Sequence, residues 1–168
     1  MTTSSSFANW RRRLAPKIRP ILEHFPPVRF FAVRFLKMKQ SGKLERCGLN
    51  FKLPSGDFGV TFEAESTGEY EPVTTELLEG LLEEGMTFID IGAHVGLFVL
   101  PASKWVGAKG RVVAFEPHPE NFAMLEENIA NNALPSNIEA VQSAVSDISQ
   151  PVQLHMSTFN TGDHQLFH

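Results

Sequence analysis

The stretch Met86-Thr87-Phe88-Ile89-Asp90-Ile91-Gly92-Ala93-His94-Val95-Gly96 decides how the chain is read. Met86 to Ala93 is a short apolar run closing on glycine, the pattern of a strand buried on both faces. A helix should follow, with LFVLPASKWV as its body and Gly107 at its end; Pro101 removes one internal hydrogen bond and should kink or shorten its first part. RVVAFEP, from Arg111, reads as a second strand. PENFAMLEENIANN, from Pro119, reads as a second helix with Phe122, Leu125 and Ile129 as core at helical spacing. IEAVQSAVSD, from Ile138, is a third strand, and PVQLHM a candidate for a shorter fourth. Strand, helix, strand, helix, strand is the α/β pattern, and right-handed crossovers make the three main strands parallel.

Upstream, EYEPVTTELLEGLLEEG reads as a lead-in helix. Pro72 suits its first turn, Val73, Leu77, Leu78, Leu81 and Leu82 form an apolar stripe, and Gly85 marks its stop. Before it, Phe51 and Leu53 alternate on one side of Pro54-Ser55-Gly56-Asp57, and Phe58, Val60 and Phe62 on the other, which predicts a hairpin. Residues 1–27 are basic and punctuated by Pro16, Pro20, Pro26 and Pro27, an arm rather than a long helix. Residues 28–40 predict one short helix with Phe31, Phe35 and Met38 along one side.

At 168 residues, 42% hydrophobic and 20% charged, the composition is that of one ordinary globular domain. A single Cys47 excludes an intramolecular disulfide and any multi-cysteine metal site, which points to a reducing, cytoplasmic setting. Residues 1–46 hold eleven Lys and Arg against Glu23 and Glu45, whereas residues 47–168 hold four against seventeen acids. A basic arm on an acidic body implies docking on that body or attraction to an anionic surface. No aromatic-interleaved RNA motif or zinc-finger spacing supports nucleic acid, so the expected surface is a membrane, met peripherally. The best apolar stretch, Val28 to Met38, is broken by Arg29, Arg34 and Lys37, and does not span a bilayer.

The loop Asp90 to Gly96 carries the chemistry. Glycines there let the backbone turn sharply and let a ligand approach the main chain, while the following helix offers amide N–H groups and its positive dipole end. Twenty residues beyond Gly96, Glu116 stands at the carboxyl end of the second strand, where a carboxylate can accept the two hydroxyls of a ribose. A nucleoside-containing ligand follows, although Glu116 taken alone reads equally as a solvated loop acid. The dinucleotide fingerprint GxGxxG, laid from Gly92, meets His94 and Leu97 at its second and third glycines, which disfavours a nicotinamide-type oxidoreductase. Asp90 suits a cation, because a carboxylate close to a diphosphate would repel it by roughly several kcal/mol. S-adenosylmethionine carries an ammonium and a sulfonium. His118, His155, Asp163 and His164 match no standard metal spacing and read as polar loop residues, with no metal expected.

FIDIGAHVGLF, GRVVAFEPHPENFAMLEENIANN, IEAVQSAVSD and the lead-in EYEPVTTELLEGLLEEGM together resemble the FkbM family of class I S-adenosylmethionine-dependent methyltransferases, from about Tyr70 onward. The resemblance implies a Rossmann-like α/β sheet and methyl transfer from S-adenosylmethionine to an oxygen of a sugar or other small metabolite. By motif position it puts Asp90, Gly92, Ala93, His94 and Gly96 at the methionine end of the cofactor, Glu116 on the ribose, and Ser143 and Ala144 near the adenine. His94 replaces the glycine or asparagine of related loops, and Ser143 stands where many such enzymes have an acid. No catalytic residue is assigned.

The expected organisation is a basic arm at 1–46, a hairpin and lead-in helix at 47–85, and the cofactor-binding domain from 86 to 168. Each strand–helix unit uses about 25 residues, and only 23 follow Val145, too few for the four further strands that the resemblance implies. The expectation is therefore a front half of the fold, with either methyl transfer or a catalytically inactive binding role. Without a fourth strand beside it, Phe88-Ile89-Asp90-Ile91 would expose an edge that invites self-association.

Overall fold

A computed structural model of the chain describes residues 40–55 and 59–147, together with Phe30, Arg34, Gln153–His155 and Gln165–Phe167. The expected basic arm lies outside the described residues as far as residue 39, apart from Phe30 and Arg34, which are helical and exposed. Phe58, Asp163 and His164 lie outside them too.

The three predicted strands form one parallel sheet in the order β3–β4–β5, with β3 at Thr87–Ile91, β4 at Arg111–Phe115 and β5 at Ile138–Val141. The register pairs Phe88 with Val112 and Ile138, and Asp90 with Ala114 and Ala140. That face is the core: Val112 and Ala114 are fully buried under the two connecting helices, which contribute Val99, Leu100 and Leu125. The opposite face carries Ile89 at 57% and Ile91 at 65% exposure, so β3 is not buried on both faces as expected. Among the described residues both helices pack on one side of the sheet, and the second edge of β3 has no strand partner. PVQLHM does yield a strand, β6 at Gln153–His155, but it pairs antiparallel with β7 at Gln165–Phe167 and not with the main sheet.

The hairpin is displaced from its expected position. Its strands are β1, Lys43–Arg46, and β2, Leu49–Lys52, joined by Cys47 and Gly48. Both turn residues have positive φ, 53° and 64°, as a two-residue hairpin turn requires to match the strand twist. Leu44, Arg46, Leu49 and Phe51 point inward. The stretch expected as its second strand is instead helix α1, Val60–Thr67. Val60, Thr61 and Ala64 are its buried positions, a helical spacing that the alternation of Val60 and Phe62 concealed. Gly68 ends α1 in the left-handed region, its N–H bonding Ala64 O at 2.9 Å. Glu65 ties α1 to the hairpin by accepting from Gly42 N at 2.7 Å and Ser41 Oγ at 2.8 Å.

The lead-in helix α2 spans Pro72–Leu81 with proline at its start, as predicted. Its stripe is not core: Val73, Leu77 and Leu81 are exposed, Leu78 and Leu82 half-buried. The side of α2 that meets the protein is the one carrying Thr75, whose hydroxyl bonds Tyr70 O at 3.1 Å. Helix α3 runs Val99–Val106 and α4 Pro119–Ala130. Pro101 lies inside α3, whose first part is shorter than the expected LFVLPASKWV. The helix starts at Val99, so the missing N–H falls in the first turn. No helix among the described residues is long and apolar enough to cross a membrane.

Candidate functional site

The loop between β3 and α3 is built from three left-handed residues, Gly92 at φ 85°, His94 at φ 50° and Gly96 at φ 90°. They fold the chain back over the end of β4, where Gly92 N and Ala93 N both donate to Phe115 O, at 2.8 and 2.9 Å. Gly96 is required by packing as well as by φ: a Cβ there would lie 2.7 Å from both Leu100 Cδ1 and Leu125 Cδ1. Gly92 is different. A Cβ on it would meet nothing within 4 Å, so its bare backbone borders open space.

Glu116, one residue past β4, is 4% exposed, which removes the reading as a solvated loop acid. Its Oε2 accepts from His94 N at 2.7 Å and its Oε1 from His118 N at 2.9 Å. The carboxylate thus joins the glycine loop to the entry of α4. Carboxylate oxygens have about four lone-pair sites between them, so two amide bonds leave acceptor capacity. His118 is a buried N-cap rather than a loop residue, its Nδ1 accepting from Asn121 N at 3.4 Å. Among the described residues no group of three His, Cys, Asp or Glu could hold a metal.

Asp90, the last residue of β3 on the core side of the sheet, has a buried Oδ2 with no hydrogen-bond partner. Burial, and secondarily the nearby negative charge of Glu116, push its carboxyl up to about 6. A desolvated carboxylate with an empty acceptor is fitted to receive a cationic group. Ser143 and Ala144 follow the end of β5, Ser143 exposed and turned onto its neighbours through Ser143 N to Val141 O at 2.9 Å. The structure therefore gathers Asp90, Gly92, Ala93, His94, Gly96 and Glu116 around one loop, with Ser143 and Ala144 at the carboxyl end of β5.

Two residues that hold the loop were missed in the sequence. Arg46, 7% exposed, reaches from the hairpin and donates through Nη1 to Leu97 O at 2.8 Å. Asn128, 1% exposed on α4, donates to Val95 O at 2.9 Å. The available signal was an asparagine recurring with Leu125 and Asn121 on the buried side of one helix.

Residues 90–167 match the family model described as the methyltransferase FkbM domain. The resemblance drawn from the glycine loop and the strands after it is borne out over that stretch. Among solved structures, a SAM-dependent methyltransferase from Aquifex aeolicus is 32% identical, covering 49% of this chain and 43% of its own, at a TM-score of 0.41. A SAM-dependent O-methyltransferase from Thermotoga maritima is 23% identical over 45% of this chain and 29% of its own, TM-score 0.41. TYW2 from Pyrococcus horikoshii, in complex with MeSAdo, is 21% identical over 62% of this chain and 36% of its own, TM-score 0.46. The chain spans less than half the length of each of these structures. No curated protein matches.

Proposed function

We propose that the chain binds S-adenosylmethionine at the β3–α3 loop and serves methyl transfer to a small-molecule acceptor. The observation that carries this reading is the buried, unpartnered Oδ2 of Asp90 beside a glycine loop whose Gly92 borders open space. Asp90 would take the ammonium of the methionine portion beside the bare backbone of Gly92, with Ala93, His94 and Gly96 holding the loop in shape around it. Glu116 would accept from the ribose with the lone pairs that His94 N and His118 N leave free, and Ser143 and Ala144 would border the adenine. The bound group supplies a methyl carbon on a sulfonium, open to attack by a nucleophilic oxygen. Asp90 favours a cationic ligand by charge, and its burial strengthens that attraction.

The acceptor class we propose is an oxygen of a sugar or similar metabolite, as the resemblance to the FkbM family implies. Peripheral contact with an anionic membrane is supported by the basic residues before Lys43; flotation with anionic liposomes tests it, and equal flotation after removal of residues 1–42 overturns it. Self-association is supported by the β3 edge with its exposed Ile89 and Ile91, and a monomeric sedimentation profile across concentration overturns it.

The deciding experiment is calorimetric titration of S-adenosylmethionine into the wild type and Asp90→Ala. Binding that weakens at least tenfold in the variant is expected. No binding to the wild type, or displacement by NAD but not by S-adenosylhomocysteine, overturns the assignment.

A further inference from the structure

We infer that the β1–β2 hairpin is a working part of the ligand loop, with Arg46 and Asn128 as positioning residues that hold its carbonyls from behind. The inference rests on the loop being the cofactor site. Front and back of the loop are held by different groups. Its amides at Gly92, Ala93 and His94 turn to Phe115 O and Glu116, whereas Val95 O and Leu97 O accept from Asn128 and Arg46.

Arg46 fits a vacancy that the sequence creates. In α3, Leu100 N bonds Gly96 O at 3.1 Å and Ala102 N bonds Phe98 O at 3.0 Å. The bond between them would run from residue 101 to Leu97 O, but Pro101 has no N–H to give. The Arg46 guanidinium occupies that acceptor instead. Its other nitrogen, Nη2, donates to Tyr70 O at 3.2 Å and to Thr75 Oγ1, so one side chain joins hairpin, α2 and the last turn of the loop. Tyr70 adds a tilted ring contact to Phe98, centroids 5.6 Å apart. Arg46 has no carboxylate partner among the described residues. A buried cation bonded only to neutral oxygens costs desolvation that a purely structural tie could avoid, and it lends positive potential to the back of the loop.

Asn128 makes the second tie. Its Oδ1 accepts from Lys52 N at 2.7 Å while its Nδ2 donates to Lys52 O at 3.0 Å and to Val95 O at 2.9 Å. Movement of β2 is thereby transmitted to Val95 through one carboxamide. The hairpin lies before residue 90, where the family match begins, yet it fixes Leu97 O directly through Arg46 and is tied to Val95 O through Asn128.

The test uses the full chain, with hydrogen exchange of the loop amides in the ligand-free protein and S-adenosylhomocysteine titration as separate readouts. Arg46→Met and Asn128→Asp should speed exchange at residues 92–100 by about tenfold or more, the loss of one charge-assisted or buried hydrogen bond, with β4 unchanged. S-adenosylhomocysteine affinity should fall in parallel. Pro101→Ala in the Arg46→Met background restores an N–H to Leu97 O and should recover most of the loop protection, which a packing role for Arg46 would not. Arg46→Lys, keeping charge and one donor, gives an intermediate result and replaces Arg46→Met if the latter does not fold. Wild-type loop exchange in folded Arg46→Met or Arg46→Lys, or no recovery with Pro101→Ala, overturns the inference. Should the wild type bind no S-adenosylhomocysteine, the proposed function fails while the exchange data still decide the clamp.

Discussion

His94 N donates to Glu116 Oε2 at 2.7 Å, joining two residues 22 positions apart in the sequence and both nearly buried. Because His94 holds a left-handed φ of 50°, its conformation needs an external anchor, and the carboxylate supplies it. Glu116→Ala removes the carboxylate that accepts from His94 N and His118 N, so two buried charge-assisted hydrogen bonds are lost together. Urea unfolding should show a loss of about 3 kcal/mol. Glu116→Gln keeps one good acceptor and should lose about half of that. Equal stability of Glu116→Ala and wild type would show the clasp to be idle.

Asp90 makes stability depend on pH in the direction opposite to a salt-bridged acid. Its carboxyl titrates near 6 when folded against 3.8 as the ordinary value, so the folded state holds the proton more tightly. Its contribution is most favourable below pH 3.8, declines as pH rises through 6, and stays unfavourable above. Asp90→Asn should therefore stabilise the ligand-free protein at pH 7.5 by up to about 3 kcal/mol and by little at pH 4. For the proposed cationic ligand the sign reverses: wild-type affinity should rise between pH 5 and 7.5, and Asp90→Asn should abolish that rise. Thermal melts at the two pH values and titrations in parallel check both halves.

The loop and sheet were legible because their signals are local: continuous apolar strands, glycines at the strand end, Pro72 and Pro119 at helix starts. The hairpin was not, because alternation runs from Leu49 to Phe62, past the end of β2 and into α1, and period alone does not say where pairing stops. The apolar stripe on α2 was legible but its exposure was not, since an amphipathic pattern names a face without naming what covers it. Arg46 escaped because it sits among ten other basic residues of the first 46, and only the fold shows it buried against Leu97 O. Buried polar anchors depend on contacts between elements 51 or 33 positions apart, as for Arg46 and Asn128, which no local pattern encodes.

The two loop glycines should separate stability from binding. Gly96→Ala sets a methyl 2.7 Å from Leu100 and Leu125 at a φ of 90°, so steric overlap and strain combine to cost about 3 kcal/mol. Gly92→Ala meets no atom within 4 Å and carries only the conformational penalty, about 1 kcal/mol. Its added methyl nevertheless lies in the space where the proposed ligand would approach. Gly92→Ala should remain folded and lose S-adenosylmethionine affinity by about tenfold or more, since a methyl there displaces backbone contact. Unchanged affinity in Gly92→Ala would remove the backbone of Gly92 from the site.

Helix α4 and the turn after it hold the hairpin as a neighbouring strand would, with side-chain amides replacing backbone. Asn128 pairs with both Lys52 N and Lys52 O, and Asn132, two residues past the end of α4, with Asn50 N at 2.9 Å and Asn50 O at 2.8 Å. Asn132 Nδ2 also donates to Asn128 O at 2.7 Å, which keeps both carboxamides against the same edge of β2. The sites differ in access to water. Asn128 is 1% exposed and Asn132 only half-buried, so groups freed by Asn132→Ala can be rehydrated and those freed by Asn128→Ala cannot. Asn128→Ala should cost about 3 kcal/mol in urea unfolding, and Asn132→Ala about 1 kcal/mol. The double variant should fall short of the sum, because loss of Asn128 already loosens the strand that Asn132 holds, and a strictly additive cycle would show that the two asparagines act on independent segments.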